Sequence, residues 1–548
     1  MSYSNEPSLQ QLFASVFFYA ALEAANAGFP HIFLDGSATA GQGIPYDKLA
    51  EGEMPARLAY RFVHDELEMD GNPALNLASF VTTYMEDEAE KLMTENLKKN
   101  FIDLEEYPAC AEIESRCAQI IADLFNAPDV ENDQPIGVST IGSSEAIILS
   151  VLAAKRRWQH ARKALGKPCD KPNLVMNAAV QVCWEKAARY LEIEERYWNT
   201  RDEVYIADPK ELIDLVDENT IMVCAILGTT YTGQYEDVAG IAKELEIKNK
   251  TLDNPIYIHV DAASGGFVAP FVNPDLVWDF RIPLVASINT SGHKYGLAYA
   301  GVGWNVWRNR SLLPHDILFT VNYLGSPQVS FTLNFSKSAV QVIGQYYIFL
   351  RLGRSGYTAI MQNLTRTADH LANHITAIGD GKKFTLISSV GGEGLPLVAF
   401  KLTEKENYDE FEIARRLRSR GWIVPAYTMA PKCEKTKLMR VVVREDFSMS
   451  RCDHFINDLI SVVETLDKLP SEVLDAMAYT SKQDATRRAH SRIHNHSHRQ
   501  PRLHRTQSKL QRTPASIQET EQRIRDALNE MSGRNKDHGL LLKRIRKC

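Results

Sequence analysis

A lysine follows a histidine and a glycine turn in Ser287-Ile-Asn-Thr-Ser-Gly-His-Lys-Tyr-Gly296, just after an apolar run. Lysine is exposed by default. Its placement between apolar segments suggests an amine of lowered pKa that can form a Schiff base; a surface-loop lysine is the competing reading. In His259-Val-Asp-Ala-Ala-Ser-Gly-Gly266 an aspartate closes another apolar run, and small residues after it leave room for a planar ligand. Asp261 would pair there with a protonated heterocyclic nitrogen, or cap the next turn. Ile141-Gly-Ser-Ser-Glu-Ala146 runs straight into an apolar-periodic stretch. The N–H groups of a helix start and the hydroxyls of Ser143 and Ser144 suit a phosphate, although an ordinary N-cap fits as well. The spacing is neither a P-loop nor a dinucleotide fingerprint. A helix start for a phosphate, an acid for a pyridine nitrogen and a lysine for an aldehyde are together what pyridoxal phosphate demands.

The elements around these residues alternate. Short apolar or β-branched runs at 173–176, 220–226, 256–260 and 284–288 predict strands; periodic stretches at 144–164, 183–190, 210–216 and 238–249 predict helices. That order argues for helices layered on a largely parallel sheet. Before it, helices are expected at 54–68, 80–97 and 105–125. After it, a long helical pattern at 336–354 continues through 357–378. Strands near 385–389, 395–402, 423–426 and 438–443, with helices at 409–420 and 451–466, then predict an α+β satellite. The implied division is an extension and linker over 1–56, a helical segment over 57–130, a large domain over 131–355, a small domain over 356–470 and a tail over 471–548.

The 548 residues carry a net charge of −7, and that total hides an asymmetry. Residues 1–480 hold 45 Lys and Arg against 63 Asp and Glu, whereas residues 481–548 hold 17 against 6 and six of the 15 His. The acidic body is a poor nucleic-acid surface. Eight cysteines without a CxxC pair read as unpaired thiols in a reducing, cytoplasmic compartment. The apolar stretch Leu12–Leu22 is too short to span a bilayer, and no Lys or Arg precedes Lys48, so Ser8–Ala27 reads as an amphipathic-to-apolar helix packing on the body or on a partner subunit.

Longer stretches resemble the pyridoxal-phosphate glutamate decarboxylases of plants, fungi and bacteria (the group II decarboxylases), over about residues 55–470. They are Leu75-Asn-Leu-Ala-Ser-Phe80, Thr140-Ile-Gly-Ser-Ser-Glu-Ala146, Val180-Gln-Val-Cys-Trp-Glu-Lys-Ala-Ala-Arg-Tyr190, His259 to Phe267, Ser291-Gly-His-Lys-Tyr-Gly296, Asn334-Phe-Ser336 and Gly421-Trp-Ile-Val-Pro-Ala426. The resemblance implies an aspartate-aminotransferase-like fold (fold type I), with a mostly parallel sheet in the large domain and a small α+β domain. It also implies a homodimer, or a multiple of dimers, with a shared active site, and conversion of L-glutamate to 4-aminobutanoate and CO₂.

Carried over by position, Lys294 binds the cofactor aldehyde and Asp261 pairs with its pyridine nitrogen. His293, Ser143 and Ser144 hold the phosphate, and Ser336 reaches it from the neighbouring subunit. Gln181 lies against the ring and Thr230 near its phenolic oxygen. Ser79, Phe80 and Asp103 surround the distal carboxylate of glutamate, across the subunit interface. Arg440 holds the α-carboxylate, and Tyr323 belongs to a loop closing the site. Position 79 is Ser where bacterial members commonly have Thr, and residues before about 45 lack the family's usual N-terminus. Decarboxylation of another amino acid, a related lyase reaction, or a non-catalytic dimeric scaffold presenting the tail are the alternatives. The tail reads first as a solvated basic segment. Its basic, partly apolar end (539–547) and the spacings Arg488…Ser491 and Arg505…Ser508 make calmodulin or a phospho-dependent partner further readings.

Overall fold

The computed structural model describes residues 49, 52–103, 105–129, 133–322, 328–470 and 473–474. The readings made above for Leu12–Leu22, Tyr323 and the basic tail lie outside the described residues. The chain divides into two units, residues 1–72 and 73–548. In the first, α1 (Ala56–Leu67) follows Pro55 and buries no side chain.

The second unit begins with α2 (Asp87–Glu95) and α3 (Pro108–Leu124). The alternation follows as β1 (Ile136–Thr140), α4 (Ser143–Ala164), β2 (Asn173–Asn177), α5 (Val182–Tyr190), β3 (Glu194–Trp198), α6 (Pro209–Asp214) and β4 (Thr220–Ile226). It continues through α7 (Val238–Asn249), β5 (Ile258–Asp261), α8 (Ala269–Val272), β6 (Val285–Thr290) and β7 (Gly303–Trp307). These strands form one sheet in the order β1-β7-β6-β5-β4-β2-β3. β7 runs antiparallel to both its neighbours, and the other pairs are parallel. Every residue of β2, β4, β5 and β6 is buried, as helices on both faces of a parallel sheet require. Side chains start the connecting helices: Asp208 and Asp237 accept from the N–H groups of Glu211 and Gly240.

An antiparallel pair, β8 (Phe319–Val321) and β9 (Gln328–Ser330), precedes α9 (Val340–Ala377). At Gly353 the backbone of α9 takes φ 54° and ψ −171°, which a side chain would strain, so α9 is two helices across a break. A second sheet, β10 (Phe384–Leu386), β11 (Leu397–Leu402), β12 (Ala426–Thr428) and β13 (Lys437–Val442), has the order β10-β11-β13-β12 and is antiparallel throughout. With α10 (Glu410–Arg418) and α11 (Met449–Asp467) it makes the α+β part. The fold is that of a large α/β domain with a smaller C-terminal α+β domain.

Two expectations need correction. The helix predicted over 80–97 starts only at Asp87, because residues 82–83 spend their polar groups on tertiary partners. Thr82 N–H donates to the His293 carbonyl at 3.0 Å and its hydroxyl to the Lys294 carbonyl at 2.9 Å. Thr83 donates to Glu445 and Asp446. The strand predicted at 423–426 begins at Ala426, and Ile423 is instead taken by the segment before Phe80. Leu77 N–H donates to the Ile423 carbonyl and Ile423 N–H to that of Leu75. After the 3-10 turn Pro73–Leu75, residues 76–77 thereby form a short strip bridged in parallel to Ile423 and tied to β13 by Val442 N–H donating to the Leu77 carbonyl.

Candidate active site

Parallel strands β4, β5 and β6 end at Ile226, Asp261 and Thr290, and a cavity of about 400 Å³ opens just beyond those ends. That is where open α/β sheets bind ligands. Ser143, Ser144, Gln181, Thr230, Asp261, His293 and Lys294 all line it. Residues from five separate stretches of sequence therefore meet in one place.

Lys294 sits in the tight turn after β6. Ser291 N–H donates to the Ala263 carbonyl, and Lys294 N–H returns to the Ser291 carbonyl at 3.3 Å. At position 292 a Cβ would lie 2.2 Å from Gln345 Oε1 and 2.9 Å from Val302 Cγ1, so buried side chains would have to shift to admit one. The Lys294 amine donates to Ser264 Oγ at 3.3 Å and lies 5.4 Å from the centre of the Phe80 ring. Burial pushes its pKa below the ordinary lysine value; Arg440 adds to the shift and Asp261 opposes it. Burial, helped by Lys294, holds His293 down at about 4, and its buried Nδ1 has no hydrogen-bond partner among the described residues. Next to it, α4 starts at Ser143, whose hydroxyl is 2.7 Å from that of Ser291. Glu145 clamps this start: one oxygen accepts from Ile141 N–H at 2.9 Å, the other from Leu333 N–H at 2.8 Å. Gln181 caps α5 by accepting from Cys183 N–H at 2.7 Å.

Asp261 ends β5 and is 6% exposed. Its Oδ2 accepts from Trp184 Nε1–H at 2.9 Å. Its Oδ1 accepts from Asn289 Nδ2–H and from Ala263 N–H, both at 3.1 Å. Asn289 Oδ1 meets His259 Nε2 at 2.7 Å, and His259 Nδ1 meets Ser287 Oγ at 2.7 Å. Sequence reasoning assigned no role to Trp184, His259, Ser287 or Asn289. The register carried the signal: His259 pairs with Ser287 and Asp261 with Asn289 across β5 and β6, so all four project to one face. Burial holds His259 down at about 4. A histidine whose folded pKa lies below its unfolded value of about 6.5 binds fewer protons when folded. Its contribution to stability is therefore intact above pH 6.5 and is lost as pH falls toward 4. The cofactor-free protein is expected to lose on the order of 3 kcal/mol through His259 alone across that window. Thermal melts of wild type and His259→Gln between pH 4 and 7 check this; parallel curves would refute it.

Arg440 on β13 borders the site rather than lining the cavity. Its guanidinium donates to the carbonyls of Thr230 and Ala78 and lies 4.7 Å from the Phe80 ring centre and 5.6 Å from that of Tyr427. Its buried Nε has no hydrogen-bond partner among the described residues. Tyr427, which the sequence did not mark, is fixed by its own hydroxyl, which donates to the Tyr231 carbonyl at 2.6 Å. Phe80 packs on Lys294 and Arg440 of its own chain. Ser79 lies beside it and accepts from Val81 N–H. Asp103 and Ser336 are not among the residues lining the cavity. Ser336 is exposed, 3.5 Å from Asn100 Nδ2.

A family profile described as the pyridoxal-dependent decarboxylase conserved domain matches residues 56–403. The chain belongs to the pyridoxal-dependent decarboxylase family, and its cofactor is pyridoxal 5′-phosphate. Within that family its relatives are specific: a glutamate decarboxylase of Petunia hybrida is 50% identical over 442 residues, covering 81% of this chain and 87% of that one. Another from Aliivibrio fischeri is 47% identical over 436 residues, covering 79% and 92%. The solved glutamate decarboxylase of Lactobacillus brevis matches with a TM-score of 0.76 at 44% identity, over 80% of this chain and 98% of that one. A sphingosine-1-phosphate lyase of Burkholderia pseudomallei, at 20% identity and TM-score 0.65, shares the fold. The residues present suit the cofactor: an enclosed amine, a carboxylate, and a helix start flanked by a histidine nitrogen lacking a partner.

Proposed function

We propose that the chain decarboxylates L-glutamate to 4-aminobutanoate and CO₂. The observation that carries this is Arg440: a buried guanidinium beside Lys294, with Nε unpaired, in a chain half identical to glutamate decarboxylases. Ser143, Ser144 and His293 would hold the cofactor phosphate at the start of α4, and Lys294 its aldehyde carbon. Gln181 would cover the ring and Thr230 its phenolic edge. When bound, pyridoxal phosphate supplies the electron sink for the pair released from the breaking Cα–CO₂ bond. Asp261 keeps the proton on the pyridine nitrogen. Arg440 would hold and orient the substrate α-carboxylate, the group that leaves as CO₂. The Lys294 amine, its pKa lowered by burial, would move the proton that replaces CO₂ at Cα. Tyr323 belongs to the closing loop in this reading.

Ser79 and Phe80 would meet the distal carboxylate within the chain, and Asp103 and Ser336 would complete the site from a second subunit. Exposed Ile141, Leu333 and Phe335 near the start of α4 support such an assembly. The break at Gly353 supports a division of large and small domains near residues 355–356. Buried, unpaired cysteines among the described residues support a cytoplasmic setting, and no helix described is long and apolar enough to cross a membrane.

The test is a panel of L-amino acids scored for CO₂ and amine, with and without residues 481–548. Glutamate should exceed every other amino acid in kcat/KM by about two orders of magnitude or more, because a distal carboxylate needs a matched polar site. Flat activity across the panel would overturn the substrate. Activity that responds to truncation, or to calcium-loaded calmodulin only when the tail is present, would support a regulatory tail.

A further inference from the structure

The hydrogen bonds around Asp261 have a fixed direction. Asn289 Nδ2 donates to Asp261 Oδ1 at 3.1 Å, so Asn289 Oδ1 is left to accept. It faces His259 Nε2 at 2.7 Å, and that nitrogen must therefore carry the hydrogen. In the neutral ring Nδ1 is then a lone pair, and it takes the Ser287 hydroxyl proton at 2.7 Å. The pKa of His259, held at about 4, keeps the ring neutral under ordinary conditions. From the opposite side Trp184 Nε1–H points at Oδ2 from 2.9 Å. Trp184, His259 and Asn289 are fully enclosed, at 0% exposure, so water does not substitute for any of these partners. Asp261 receives three donors, counting Ala263 N–H, and faces no acceptor among them. Both carboxylate oxygens accept, and the three donors fix the plane of the group.

We propose that Trp184 and Asn289, the latter set by His259 and Ser287, are positioning residues that fix the plane of Asp261 and aim it as a hydrogen-bond acceptor at the cofactor's pyridine nitrogen. Outer partners of this kind tune a cofactor without touching it. The inference rests on the reading of Asp261 as the partner of that nitrogen. Asn289→Asp is nearly isosteric but turns the inward donor into an acceptor, so two carboxylates must share one proton. Trp184→Phe removes the other side-chain donor and keeps most of the packing.

The experiment uses the full-length holoenzyme and apoprotein titrated with pyridoxal phosphate. Asn289→Asp should lower kcat at saturating cofactor roughly ten- to hundredfold, with KM within about threefold. It should also weaken cofactor binding about tenfold or more and shift the absorption of the bound cofactor. Trp184→Phe should move the same quantities in the same direction by less. A purely structural role would lower the melting temperature and leave kcat and the spectrum of the fully loaded enzyme unchanged, and that result overturns the proposal. If Asn289→Asp does not fold, Trp184→Phe decides alone. Asp261→Asn is the control. Impairment there with none in the other two refutes only this inference; a normal Asp261→Asn enzyme removes the underlying reading as well.

Discussion

Lys294→Ala and Lys294→Met are each expected to lower kcat by roughly a thousandfold or more and to abolish the visible absorption the lysine gives with bound pyridoxal phosphate. The amine is the one reactive nitrogen placed beside Ser264, under Phe80 and within the electrostatic reach of Asp261 and Arg440. Burial lowers its pKa, so it is a better nucleophile and proton carrier at neutral pH than an exposed lysine. The same burial makes a second, opposite prediction about stability. A lysine whose folded pKa lies below its unfolded value binds fewer protons when folded, so the wild-type apoprotein gains stability as pH rises toward about 10.4. Lys294→Met keeps the apolar stem and deletes the amine. Its apoprotein should melt above wild type at neutral pH, and the gap should close as pH rises through the lysine's lowered pKa toward 10.4. Melts in the two proteins from pH 7 to 10.5 measure this. A dead variant that is also less stable at every pH would mean that the residue supports the fold instead of costing it.

This trade between stability and chemistry shows what the sequence made legible. A lysine, an aspartate and a pair of serines in unsuitable surroundings stood out because each breaks a local rule of burial or patterning, and all of them line the cavity. The strands that carry them were readable for the same reason that they are buried: β4 is apolar at six of its seven positions and ends where the pattern does. Three strands of the large sheet were not readable. β3, Glu-Glu-Arg-Tyr-Trp, is an edge strand with charged residues facing out, so no apolar run marks it. β1 and β7 are five residues each and contain Gly, Ser, Thr or Asn; some of their polar groups find partners far along the chain, as when Asn305 donates to Ser150 Oγ and the Ser139 hydroxyl to Glu114. The position of Phe80 was illegible for a related reason. It depends on residues 76–77 joining the small sheet, a pairing between residues more than 340 apart that no local period encodes. Likewise the Ser287-His259-Asn289 chain needs the β5/β6 register, although once those strands are paired it follows from simple alternation.

Arg440→Lys is expected to raise KM for glutamate roughly thirty- to two-hundredfold while cofactor binding and absorption stay near wild type. The guanidinium lies 4.7 Å from the Phe80 ring centre and 5.6 Å from that of Tyr427, its two Nη groups are anchored on the carbonyls of Thr230 and Ala78, and Nε has no partner among the described residues. A planar fork fixed in this way presents a preset edge to a carboxylate, which accepts two parallel hydrogen bonds. An ammonium restores the charge but cannot span both carbonyls and still present that edge. Tyr427→Leu removes one wall of the clamp and leaves the charge, so it should raise KM by a smaller factor, about three- to tenfold, through looser positioning. Because Arg440 also ties β13 to the segment that carries Phe80, Arg440→Lys should cost about 1–3 kcal/mol of stability as well. Cofactor absorption in the same samples separates that cost from the loss of substrate binding. A normal KM in Arg440→Lys would require another cation for the carboxylate. Arg444 does not qualify: it is 1% exposed, and its Nη groups already donate to the carbonyls of Pro73, Asn76 and Ser79.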